Sequence, residues 1–152
     1  MRVFHVFIPI VLCLAGCKNQ YLTGTFSRQE FIDRCEWKTK VKENYKPNSL
    51  YIDSLSKTQP ADVKLFLGTW CSDSKKWVPR FFAIQPKLPV QSLEIISIDT
   101  TKKDAAGLTK QLRVDSIPTF IFYREGKEIG RFVEKPAEKQ LEKQLYQILK
   151  SK

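Results

Sequence analysis

The most reactive side chain in the sequence is Cys71. It opens the run Cys71-Ser72-Asp73-Ser74, directly after Gly68-Thr69-Trp70 and a buried-type apolar run, Val63–Leu67. Ser72, Asp73 and Ser74 are polar groups of the kind that start helices, and Val78, Phe81, Phe82 and Ile84 supply an apolar face at helical spacing. Cys71 is therefore expected at a helix N-terminus, where unpaired N–H groups and the helix dipole favour a thiolate. Asp73 opposes that field, Lys75 and Lys76 reinforce it, and Ser74 is placed to donate a hydrogen bond to the sulfur. The one other thiol after position 17, Cys35, falls on a helical face with Phe31 and Ile32, which is the setting of a small buried thiol. The single histidine, His5, lies near the N-terminus. A domain without histidine cannot run a Ser-His-Asp or Cys-His mechanism or build a His-ligated zinc site. No phosphate-cradling Gly-Lys-Ser/Thr loop and no dinucleotide fingerprint occur. Neither a cofactor nor a metal is expected.

The elements that must position Cys71 follow from periodicity and breakers. Glu30 to Tyr45 and Leu50 to Lys57 are expected helices, separated by Pro47-Asn48-Ser49. Val63–Leu67 is a strand apolar on both faces. Cys71 to about Gln85 is a helix with Pro79 inside, which should kink it. Leu93–Ile98 is a strand, Gly107–Leu112 a short helix, and Thr119–Tyr123 and Glu128–Val133 an antiparallel hairpin around Arg124-Glu125-Gly126-Lys127. Pro136 opens a last helix whose buried stripe is Leu141, Leu145, Ile148 and Leu149. Strands joined by helices imply a parallel pair with right-handed crossovers. The fold class is α/β: a central mixed sheet of about four strands flanked by helices, with an N-terminal helical extension at 29–60 before a domain at 61–152. The 152 residues suit one such domain.

Residues 1–16 have the form of a leader. Arg2 is followed by the mostly apolar Val3–Ala15, too short to span a bilayer, and then by Gly16-Cys17. Leu14-Ala15-Gly16-Cys17 resembles the bacterial lipobox, in which the cysteine thiol receives a diacylglycerol and becomes the new N-terminus. The resemblance implies lipidation at Cys17 and a polar tether over 17–28. It also implies a location at the bacterial cell envelope, facing periplasm or exterior. Lys18 stands where an inner-membrane retention Asp is absent, which favours the outer membrane. The formal charge of +10 comes from lysines spread along the chain rather than from one block with interleaved aromatics. It suits a solvated surface beside an anionic membrane, and no nucleic-acid partner is expected.

The element order resembles the thioredoxin fold, and local matches carry the resemblance. Gly68-Thr69-Trp70-Cys71-Ser72-Asp73-Ser74 stands where thioredoxins place Trp-Cys-Gly-Pro-Cys, and Pro79 stands at the family's helix-kinking proline. Ser116-Ile117-Pro118-Thr119-Phe120 looks like the Ile-cis-Pro-Thr segment that enters the third core strand. The two stretches GTWCSDSKKWVPRF and IPTFIFYREGKEIGRFVE look like those of thioredoxin-like proteins of Bacteroidetes-type bacteria. The resemblance implies that Pro118 packs beside the sulfur and that Trp70, Asp73, Ile117 and Glu134 border a groove for an extended peptide. It also exposes departures. Ser74 replaces the second cysteine and cannot resolve a mixed disulfide. Leu65 and Ile95 replace the family's buried Asp and Lys relay. Glu134 replaces a groove-lining glycine and could pair with Asp73.

Two functions are compatible with these residues. One is monothiol exchange through Cys71, with protein or small-molecule thiols and disulfides as partners. The other is a non-catalytic peptide-binding module on the same scaffold.

Overall fold

The computed structural model describes residues 21–35, 45–134 and 140–151. The expected leader, Cys17, the second half of the first expected helix and Pro136 lie outside the described residues. Among the described residues there are eleven short elements, and ten of them organise the domain. They are β1 (Gly24–Phe26), α1 (Arg28–Arg34), α2 (Ser49–Leu55), β2 (Ala61–Leu67), α3 (Ser72–Ile84), β3 (Val90–Ser97), α4 (Leu108–Gln111), β4 (Thr119–Arg124), β5 (Lys127–Val133) and α5 (Leu141–Leu149). No helix among the described residues is long and apolar enough to cross a membrane.

The strands form one mixed sheet in the order β1-β3-β2-β4-β5. β2 and β3 are parallel, and β4 and β5 run antiparallel beside β2. The β4–β5 hairpin closes on Glu125 (φ 51°) and Gly126 (φ 76°), the two positive φ values that a type I′ turn requires. Two expectations need correction. The sheet of about four strands has a further edge strand, because Gly24–Phe26, expected as tether, pairs antiparallel with Ile95–Ser97. Three residues with one apolar side chain are too few to show a period of two. The first helix also ends at Arg34, where Cys35 turns extended (ψ 117°). That helix starts on a capping box: Ser27 Oγ accepts from Glu30 N–H, and Glu30 Oε2 accepts from Ser27 N–H at 2.8 Å.

Alternation along the strands sends side chains to two unequal faces. Val63, Leu65, Leu67, Ile95, Phe120, Phe122 and Phe132 point to the larger core, where α1, α2, α3 and α5 cover them. There Phe120 stacks on Phe132 and meets Phe81 at a tilt, with ring centroids 5.0 Å and 4.8 Å apart. Pro79 is buried inside α3. Leu65 and Ile95, the apolar substitutes for a charged relay, are cross-strand partners and fully buried on this face. Phe66, Ile96, Ile98, Val114, Ile117 and Ile121 form the smaller core on the other face, joined by Trp70, Cys71 and residues of α4. Toward the far end of the strands that face becomes polar. Lys64 pairs with Glu94 across the strands, Ser92 donates to Asp62 at 2.5 Å, and Arg131 pairs with Glu128.

Candidate functional site

The site lies at the C-terminal ends of β2 and β3. Cys71 is the N-cap residue of α3, with extended backbone (φ −79°, ψ 128°) and no side-chain cap bond, so its thiol is not spent on the helix end. The turn that delivers it is closed by Cys71 N–H donating to Gly68 C=O at 2.9 Å. Gly68 is needed there because the Trp70 ring and Ile117 lie against it. A Cβ at position 68 would meet Trp70 Nε1 at 2.7 Å and Ile117 Cδ1 at 2.8 Å. Trp70 is held by its indole N–H donating to Ile98 C=O at 3.2 Å.

The partner of the thiol comes from 46 residues further along the chain. Cys71 Sγ–H donates to Ile117 C=O at 3.5 Å, and the Ile117–Pro118 peptide is cis. Pro118 C=O accepts from Glu134 N–H at 2.7 Å, which ties the loop before β4 to the residue after β5. Cys71, Trp70, Ile117, Pro118 and Glu134 are therefore brought together by three strand ends and two loops. Cys71 and Trp70 are half-buried, and Ile117 and Pro118 are buried.

Ser74 is completely buried, and its hydroxyl oxygen accepts from Gly68 N–H at 3.3 Å; among the described residues no hydrogen bond joins it to Cys71. Its role in the described geometry is to hold the turn that carries Cys71. Glu134 is exposed with φ 59°, so this position keeps the left-handed backbone that favours glycine although it carries a carboxylate. Among the described residues no hydrogen bond or ion pair joins Glu134 to Asp73. Cys35 is buried in the larger core, on the opposite face of the sheet from Cys71, and neither is in a disulfide.

Three features escaped sequence reasoning. Thr69 Oγ1 accepts from Leu22 N–H at 3.1 Å, which joins the N-terminal segment to the Cys71 turn. After β3, Asp99 caps its own loop, accepting from the Thr101 hydroxyl at 2.7 Å and from the N–H groups of Thr101 and Lys103. These bonds, led by that from the Thr101 hydroxyl, hold its carboxyl below the ordinary range. Far from the thiol, Tyr45 donates to the buried carboxylate of Glu142, and the Arg80 guanidinium lies between the rings of Tyr45 and Trp77. Burial and the hydrogen bond to Glu142 push the Tyr45 phenol well above the usual tyrosine range. A cavity of about 400 Å³ lined by Lys57, Arg124, Tyr146 and Lys150 also opens at the opposite end of the sheet and includes none of the site residues. The one sequence signal for the Thr69 contact was Leu22 and Phe26, apolar residues in an otherwise polar tether.

A family model described as thioredoxin matches residues 40–147. Among curated relatives, a thioredoxin-like protein of Acanthamoeba polyphaga mimivirus is 34% identical over 68 residues, covering 45% of this chain and 48% of that protein. The thioredoxin of Chlamydia trachomatis is 34% identical over 68 residues, covering 45% and 63%. Chloroplastic thioredoxin Y of rice is 27% identical over 84 residues, covering 55% and 48%. The chain thus spans from about half to just under two thirds of the length of these relatives. Among solved structures, a Pseudomonas aeruginosa protein of unknown function superposes with a TM-score of 0.61 at 18% identity, covering 80% of this chain and 90% of that one. That likeness is one of fold.

Proposed function

Because this chain belongs to the thioredoxin family, we propose that it carries out thiol–disulfide exchange through Cys71 as a monothiol, anchored by a lipid on Cys17 at the outer side of a bacterial membrane. The observation that carries the proposal is the Cys71 thiol at the start of α3, half-exposed and facing the Ile117–Pro118 loop.

The chemistry closes without a second cysteine in the motif. The Cys71 thiolate attacks one sulfur of a disulfide R–S–S–R′. The Cys71–S–S–R bond forms as the S–S bond breaks, and R′S⁻ leaves to take up a proton. A second thiolate, from a small molecule or a partner protein, then attacks the R sulfur. The Cys71 thiolate is released, and R is carried away in the new disulfide. Buried Ser74 contributes no sulfur to this cycle. Slow resolution suits a protein that traps clients or reverses S-thiolation.

The test is the reaction of the chain from Lys18 to Lys152 with a small aromatic disulfide across pH 4 to 10, alongside its Cys71→Ser and Cys35→Ser variants. Exchange is expected to track Cys71 at every pH tested and to survive Cys35→Ser. Should Cys71 react no faster than Cys35, the domain is a peptide-binding module instead. The anchor is tested separately: Cys17→Ser should move the protein from the membrane fraction to the soluble one.

A further inference from the structure

The N-terminal segment leaves the domain at its reactive end. β1 runs antiparallel to β3, so Gly24 pairs with Ser97, the last residue of β3, and the chain before Gly24 continues past the strand ends. Leu22 is then held from both sides: its N–H donates to Thr69 Oγ1 at 3.1 Å, and its C=O accepts from Ser97 Oγ at 2.5 Å. Thr69 is 9% exposed and stands two residues before Cys71. Behind this clasp, Phe26 is buried beneath the Arg34 guanidinium and the capping box fixes the start of α1. The segment is thus a strap, fastened at the turn that carries the thiol.

Chain length turns the strap into an orientation. Five residue steps lead from Cys17 to Leu22 and cover at most about 18 Å when fully extended. The hydrogen-bonded step to Thr69 and two residues of turn keep the Cys71 sulfur within about 30 Å of Cys17. The β4–β5 turn lies at the other end of the sheet, one strand length or about 23 Å further away. Charges near the thiol are mixed, Lys75, Lys76 and Lys102 against Asp73, Asp115 and Glu134, whereas Lys57, Arg124 and Lys150 line the cavity at the opposite end; vesicles without net charge therefore isolate the effect of the strap.

We infer that the strap turns the Cys71 end of the domain toward the bilayer, and that its exchange partners are disulfides or S-thiolated cysteines held by membrane-resident proteins close to the bilayer surface. This rests on the anchor and the thiol exchange proposed above. The exchange step is the one already written, with R carried by the membrane-resident protein.

The experiment uses the full lipidated chain in phosphatidylcholine vesicles. A thiol-reactive donor dye is placed on Cys71 in the Cys35→Ser protein, or on the hairpin in a Cys35→Ser/Cys71→Ser/Lys127→Cys protein, with an acceptor on the lipid headgroups. Energy transfer should be clearly stronger from position 71 than from position 127. Inserting about twenty Gly/Ser residues between Lys18 and Asn19 should equalise the two, because the strap then no longer limits reach. In unlabelled protein, the same insertion should lower mixed-disulfide formation with a short-stemmed, vesicle-anchored peptide disulfide severalfold while leaving the rate with its soluble counterpart unchanged. Equal transfer from both positions, or an anchored-disulfide rate indifferent to the insertion, overturns the inference. Loss of vesicle binding altogether overturns it through the anchor. An inert Cys71 in the soluble assay overturns the exchange reading alone, and the energy-transfer comparison still decides the orientation.

Discussion

The two faces of the sheet differ in thickness and in task. The larger face is built from aromatic and aliphatic side chains on all five strands, covered by four helices, with Phe81, Phe120 and Phe132 in ring contact through its centre. The smaller face has six buried residues under a four-residue helix, and beyond them it gives way to ion pairs half open to water. Cys71 and Trp70 belong to the smaller one. Most of the hydrophobic stabilisation, about 1.5–3 kcal/mol for each large side chain fully buried, lies on the face that the chemistry does not use. The thiol can therefore sit in a thin, partly open layer while the other face keeps the domain folded.

That division can be broken or sharpened in order of expected effect. Cys71→Ser should abolish exchange and leave thermal unfolding nearly unmoved, since it removes one long S–H···O contact at a half-exposed position. A large loss of stability would mean that the thin face carries structural weight. Phe120→Ala should do the reverse. It should destabilise the domain by about 3–5 kcal/mol in denaturant unfolding, while molecules still folded exchange thiols at the original rate. Gly68→Ala tests the seam between the faces. Its Cβ displaces the Trp70 ring and Ile117, so unfolding should come about 1–3 kcal/mol more easily and exchange should slow severalfold.

A smaller effect is expected at high pH. The folded state keeps the Tyr45 phenol protonated above the value near 10 at which the unfolded chain loses that proton. Stability from this group is therefore whole below about pH 10 and falls as the pH rises beyond it. Tyr45→Phe should flatten that limb of the stability–pH curve; an unchanged limb would assign it to Tyr123, whose phenol is also raised, first by burial and then by Glu128. The least change is expected from Lys64→Ala. Its ion pair with Glu94 is more than a third exposed, so unfolding should shift by no more than about 1 kcal/mol, and less in high salt.

Legibility in the sequence followed the range of the interactions. β2, α3 and the β4–β5 hairpin were readable within a residue or two, and β3 except for its first three residues, because an apolar run, a helical stripe and a Glu-Gly turn are each complete inside one short window. Cys71 was legible for the same reason, as a cysteine at the junction of a buried strand and a polar helix start. β1 was not, because its strand character comes almost entirely from pairing with Ile95–Ser97. The bond from Gly68 N–H to Ser74 was not legible either, because a serine three residues into a helix is compatible with several partners. The early end of α1 at Arg34 likewise has no breaker residue to announce it.

The sequence by itself determined the local chemistry: a thiol at a helix start, a serine three positions after it, apolar Leu65 and Ile95 in the strands behind it, and a turn that accepts positive φ at Glu125 and Gly126. Only the tertiary structure decided what these groups meet. Ile117 C=O reaches Cys71 across 46 residues, Leu22 fastens to Thr69 across 47, and Glu134 N–H closes on Pro118. Periodicity and propensity act over one turn or one strand, whereas these contacts depend on strand order and register, which belong to the whole sheet.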